Sequence, residues 1–120
     1  MFMGQLTISY LYPCRKTDTP ITIDVKVGFA QLSNIKIKLV NKVLIENVST
    51  VENLELGTNK KLKGKEIKCA IDIIDIQAAT NKVGVEITLR GGKHDQQFLL
   101  ENELAPGDPV MFYTVRILFL

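Results

Sequence analysis

The stretch Val83-Gly84-Val85-Glu86-Ile87-Thr88-Leu89-Arg90 decides the fold class. Val83, Val85, Ile87 and Leu89 fall on one side of an extended chain, and Gly84, Glu86, Thr88 and Arg90 on the other. A side-chain period of two marks a half-buried strand, because successive Cβ atoms point to opposite faces. The pattern recurs in both directions. Upstream, Ile67, Cys69, Ile71 and Ile73 alternate with Lys68, Ala70 and Asp72, and Ile35, Ile37 and Leu39 with Lys36 and Lys38. Ile21, Ile23, Val25 and Val27 alternate with Thr22, Asp24 and Lys26, while Leu6, Ile8, Tyr10 and Tyr12 share one face of a first strand. Downstream, Met111, Tyr113, Val115, Ile117 and Phe119 oppose Phe112, Thr114, Arg116 and Leu118.

Residues that tolerate or fix turn dihedrals lie between these runs: Thr17-Asp18-Thr19-Pro20, Leu56-Gly57-Thr58-Asn59, Thr80-Asn81-Lys82, Gly91-Gly92-Lys93 and Pro106-Gly107-Asp108-Pro109. Strands joined by short turns predict an all-β, antiparallel β-sandwich of about eight or nine strands, immunoglobulin-like or Greek-key in connection. The expected core contains Ile23, Val25, Ile37, Ile71, Val85, Ile87 and Val115. Val43 to Leu56 reads either as a helix, from the spacing of Leu44, Val48 and Val51, or as two strands bent at Ser49-Thr50. Gln96 to Leu104 is equally open.

The chain has 120 residues, enough for one domain spanning 1–120. Its 46% hydrophobic and 23% charged residues, with only 4 Pro and 8 Gly, exclude disorder and collagen-like repeats. No apolar run approaches the roughly 20 residues of a membrane-spanning helix, so no membrane partner is expected. A net charge of +2 implies no strong attraction to polyanions. The first residues lack the basic and apolar regions of a signal peptide, which predicts cytoplasmic synthesis. Cys14 and Cys69 match no metal spacing and are expected to be free thiols.

Leu104-Ala105-Pro106-Gly107, followed by Tyr113-Thr114-Val115-Arg116-Ile117, resembles the Leu-x-Pro-Gly…Tyr-x-Val-x-Val signature of fibronectin type III domains. The resemblance covers about 14 residues. It implies an immunoglobulin-like sandwich with a tyrosine at a strand corner.

Chemistry-bearing patterns are sparse. His94 is the single histidine and sits in a predicted turn; no nucleophile motif accompanies it. Asp18, Asp95 and Asp108 lie in predicted loops that could meet at one end of a sandwich. They stand singly, whereas a calcium site of the C2 kind concentrates several aspartates in two loops, so the question of a loop-end calcium site stays open. No catalytic residue, metal ligand or cofactor is therefore assigned, and the protein is not expected to be an enzyme. The densest charge run, Asn59-Lys60-Lys61-Leu62-Lys63-Gly64-Lys65-Glu66-Ile67-Lys68, reads as a solvated hairpin guarding a strand edge or, with Lys36, Lys38 and Lys42, as a basic docking face. Scarce arginine and no interleaved aromatic argue against specific nucleic-acid binding.

The candidate interface residues are Phe112, Leu118 and Leu120, apolar beyond the needs of a core, and Lys60, Lys61 and Lys63. They point to a structural or protein-interaction module with a protein partner or self-association. The expected setting is a subunit of a larger assembly, such as a decoration or connector protein of a phage particle or secretion machine. A small-molecule ligand is not expected. The alternative is a carbohydrate- or other ligand-binding β-sandwich module, for which Tyr10, Tyr12 and Tyr113 carry the suitable rings, although all three alternate with core faces.

Overall fold

The computed structural model describes residues 4–29, 31–76, 81–104 and 110–120. These form nine strands: β1 Gly4–Tyr12, β2 Pro20–Val27, β3 Leu32–Leu39, β4 Lys42–Val48, β5 Val51–Thr58, β6 Glu66–Ile74, β7 Lys82–Arg90, β8 Gln96–Glu103 and β9 Val110–Phe119. A single helical turn, α1 Asn59–Leu62, separates β5 from β6. The strands make a five-stranded sheet ordered β1-β9-β6-β3-β4 and a four-stranded sheet ordered β5-β2-β7-β8. The chain is an all-β sandwich.

The core occupies the space between the sheets because the strands direct apolar residues inward, β4 contributing only the half-buried Leu44, Ile45 and Val48. Ile23, Ile37, Ile71, Ile87 and Val115 are fully buried, Val25 likewise, and Val85 is 3% exposed. Full burial of one such side chain contributes roughly 1.5–3 kcal/mol. A register slip of one residue would turn the whole set to water, which pins the pairing.

Three expectations need correction. The pairing is antiparallel throughout except between β1 and β9, which run parallel over nine residue pairs. Parallel neighbours cannot be joined by a tight turn, so a reading built on short turns had no means of finding this pair. Among the described strands, only β3–β4 and β7–β8 are consecutive within one sheet; every other consecutive pair is divided between the two sheets. The lysine run is not a hairpin: Lys60 and Lys61 lie on α1, and Lys63 caps it. Thr58 sets this turn, its hydroxyl accepting from the Lys61 N–H at 3.3 Å, and Leu62 inserts into the core.

The open segments resolve as strands. β4 and β5 meet at a bend over Ser49-Thr50, and Gln96–Glu103 is β8. Leu56-Gly57-Thr58 remains in β5 rather than forming a turn. The proposed turn at Pro106–Pro109, residue Thr80 and Ala105-Pro106-Gly107 of the fibronectin-like signature lie outside the described residues. Tyr113 stands within β9, its hydroxyl donating to Asn102 Oδ1 at 2.6 Å across the sandwich. Cys14 and Cys69 are both free and buried.

Two polar side chains tie the connections together. Tyr12, fully buried, donates from its hydroxyl to the His94 carbonyl at 2.8 Å and accepts the Gly92 N–H at 3.0 Å. Asn59, also fully buried, donates to the carbonyls of Thr19 at 2.6 Å and Gly91 at 2.9 Å, and accepts the Arg15 N–H at 2.8 Å. One amide thus joins α1, the segment before β2 and the β7–β8 turn.

Candidate protein-docking surface

The outer face of the five-stranded sheet can be assembled row by row from the strand registers. Lys38 on β3 stands opposite Lys68 on β6, which stands opposite Arg116 on β9, and Arg116 opposite Ser9 on β1. Three basic side chains therefore line up across three adjacent strands. The next row holds Lys36, Ala70, Thr114 and Thr7. Directly opposed like charges destabilise a sheet. Two carboxylates offset this arrangement in part, with Glu66 3.6 Å from Arg116 and Glu46 3.9 Å from Lys36. Both pairs are largely exposed and contribute little.

Apolar residues flank the basic row. At one end Leu118 is paired with Leu11, which is 57% exposed. At the other end Val110, Ile74 and Leu32 form a row, with Ile74 46% and Leu32 55% exposed. Phe112 lies one row in from these, beside Asp72 and Gln5.

The candidate interface residues divide accordingly. Phe112 and Leu118 share this face and are half-buried between neighbouring strands, six residues apart along β9, or about 20 Å at the usual strand rise. Leu120 follows β9 and is exposed, its backbone bonded to Tyr12 and Cys14. Lys60, Lys61 and Lys63 are exposed on and beside α1, with Lys60 4.0 Å from Asp18. Backbone bonds from the Gly64 N–H to the Phe119 carbonyl, and from the Phe119 N–H to the Lys65 carbonyl, bring this lysine turn to the Leu118–Leu120 end. Phe112 is remote from it. The structure joins Lys36 and Lys38 to Lys68 and Arg116 through strand register, a grouping that needs the β6–β9 pairing to be seen.

The opposite face of the sandwich carries a hollow. Phe29 has a left-handed backbone, φ 62°, and its ring lies over Gly84, where an added Cβ would come within 2.9 Å of it. A bulky side chain at positive φ is strained, and such strain concentrates at functional positions. Lys26, Glu86, Leu99 and Glu101 surround a shallow space of about 290 Å³ beside this ring. The three tyrosines are placed otherwise: Tyr12 and Tyr113 are buried, and Tyr10 stacks on Phe98 with ring centroids 3.8 Å apart. None offers a free ring platform.

His94 is exposed in the β7–β8 turn, its ring edge-on to Tyr12 at 6.4 Å. Asp18 and Asp95 lie in different connections, and Asp108 is outside the described residues. Burial pushes the Cys69 thiol up to about 12 and raises that of Cys14, so neither is a ready thiolate at neutral pH. Among the described residues, no helix is long and apolar enough to cross a membrane. No protein family, curated protein or solved structure matches the chain.

Proposed function

We propose that this chain is a non-enzymatic protein-interaction module that docks through the outer face of its five-stranded sheet as a small subunit of a larger assembly. The observation that carries the reading is the row Lys38, Lys68 and Arg116. In the isolated domain those charges repel one another; a partner presenting carboxylates would relieve the repulsion, and the exposed Leu11 and Leu32 would supply apolar contact at either end. The partner is therefore an acidic protein surface. Nucleic acid is disfavoured because arginine is scarce and the aromatic on this face, Phe112, is half-buried beside Asp72 rather than free for base stacking. Incorporation into a larger particle, as a connector or decoration subunit of a phage or secretion machine, is the setting this reading expects by analogy alone.

Native mass spectrometry of the gently purified endogenous complex tests it. The expected result is a complex containing a second, different protein, lost in the Lys68→Glu, Arg116→Glu variant although that variant still folds. Recovery of this chain alone, whether single or self-associated, refutes the reading.

The hollow beside Phe29 favours a second reading, a ligand site for a sugar stacked on the ring between Glu86 and Glu101. Calorimetric titration with soluble glycans, repeated on Phe29→Ala, decides it; heat that persists in the variant excludes this ring as the platform.

A further inference from the structure

The four sheet edges differ in how they discourage pairing. The β4 edge carries Lys42 and Glu46, its pairing with β3 slips register twice, and Asn47 has φ 59°. The β5 edge carries Glu52 and Glu55, slips twice against β2, and has Asn53 at φ 49°. The β8 edge carries Glu101 and Glu103. Charges, bulges and kinks of this kind keep a strand edge from recruiting another strand. β1 has none of them. Its nine residues, Gly-Gln-Leu-Thr-Ile-Ser-Tyr-Leu-Tyr, include no charge and no proline, and it pairs with β9 without a slip. Leu6, Ile8 and Tyr10 face inward yet remain half-exposed at the rim of the sandwich.

We infer that β1 pairs antiparallel with β1 of a second copy about a two-fold axis through Ile8, joining two five-stranded sheets into one of ten. The sequence fits this occupant because it is self-complementary. Residues on one face must stay on that face across a pair, so paired residue numbers must sum to an even value. Ile8 is the midpoint of Gly4–Tyr12, and a register centred on it uses the whole strand. Ile8 then opposes Ile8 of the second copy, and Leu6 opposes Tyr10, completing the inner face with apolar pairs. On the outer face Thr7 opposes Ser9, a hydroxyl pair of the kind that supports cross-strand contact. The small net charge of +2 per chain opposes association only weakly.

A strip about 30 Å long, from nine residues at the usual strand rise, buries about 800–1,000 Å² in total, the low end for specific association. Area alone sets no affinity, so dimerisation at micromolar concentration is the expectation the experiment tests. This pairing is independent of the docking reading above, since it uses the edge of the sheet rather than its face. It would place both basic rows on the same side of one continuous sheet.

Sedimentation equilibrium of the purified 120-residue chain tests it. The wild type is expected to form dimers in the micromolar range. Thr7→Lys with Ser9→Lys, both at exposed positions, sets like charges opposite one another in this register and should weaken dimerisation at least tenfold. Thr7→Lys with Ser9→Glu sets opposite charges opposite one another and should restore it. Far-UV circular dichroism confirms that each variant folds. A wild type that stays monomeric at about 100 μM overturns the pairing, leaving the docking reading to its own experiment. Dimers that ignore the double lysine variant, or that the lysine–glutamate variant does not restore, overturn the β1 register.

Discussion

Replacing Asn59 by alanine should remove much of the stability of this domain. The side chain is fully buried and makes three hydrogen bonds, two donated to the carbonyls of Thr19 and Gly91 and one accepted from the Arg15 N–H. The Thr19 carbonyl keeps the Asn59 backbone N–H at 3.0 Å, so its loss is softened. The bonds to Gly91 and Arg15 have no such reserve. Each net bond is worth about 1 kcal/mol, and leaving the Gly91 carbonyl and the Arg15 N–H without a partner in this part-buried site adds up to about 1 kcal/mol for each. Asn59→Ala should therefore cost about 3–5 kcal/mol, against a total of about 5–15 for an ordinary domain. At this chain length that corresponds to a fall of about 12–20 °C in Tm. Urea unfolding at pH 7, followed by far-UV circular dichroism, measures it as a lower midpoint with an unchanged slope. Asn59→Asp sharpens the test. The carboxylate still accepts from Arg15 but faces two carbonyls without a proton to donate. Its deficit should match or exceed that of alanine at neutral pH and shrink as acid returns one donor. A loss below about 1 kcal/mol for Asn59→Ala would show that these connections hold without the amide.

Three further outcomes follow from the packing and electrostatics. Ile87→Ala, at a fully buried position between the sheets, should cost about 2–5 kcal/mol in the same urea assay; a near-neutral result would mean that the residue is not in the core. Thiol titration without reductant should find no reaction in the folded chain and two groups after denaturation, because both cysteines are buried and free and burial holds Cys69 near 12; a count of zero would reveal a disulfide. Burial alone would raise the Asp24 carboxyl, but the Asn53 N–H and the Arg90 guanidinium outweigh it and hold the group below its ordinary 3.8. Its charged form therefore stabilises the fold fully above that value, and the contribution is lost as pH falls through the lower folded value. The stability gap between wild type and Asp24→Asn should be full at pH 7 and close on acidification; a gap independent of pH would exclude the ion pair as its source.

The strands were legible because the alternation is nearly unbroken: Ile67 to Ile73 and Val83 to Leu89 announce both their conformation and their buried side. What periodicity cannot carry is partnership. Lys38, Lys68 and Arg116 are far apart in sequence, and only the β3–β6–β9 order sets them in one row. Phe29 reads as an unremarkable loop residue until Gly28 bonds Gly84 across the sheet and the ring settles where Gly84 has no side chain. Asn59 had one visible signal, a polar residue just after Thr58 at the mouth of a lysine run. Its three partners lie 32 to 44 residues away, beyond any local pattern. The same distance hid the helical turn, which the lysines made resemble an exposed hairpin although Leu62 anchors it in the core.

The parallel pairing of β1 with β9 also determines how the fold bears tension. In that register Gly4 lies beside Met111 and Tyr12 beside Phe119, so the start of β1 and the end of β9 are at opposite ends of the pair. A pull applied at Gly4 and Phe119 runs along the strands, and the inter-strand hydrogen bonds resist it together in shear. Hairpin neighbours pulled from their open ends would instead unzip one bond at a time. The two strands are thus arranged as a mechanical clamp, in which stretching the chain between those points loads the whole ladder before any single bond can yield.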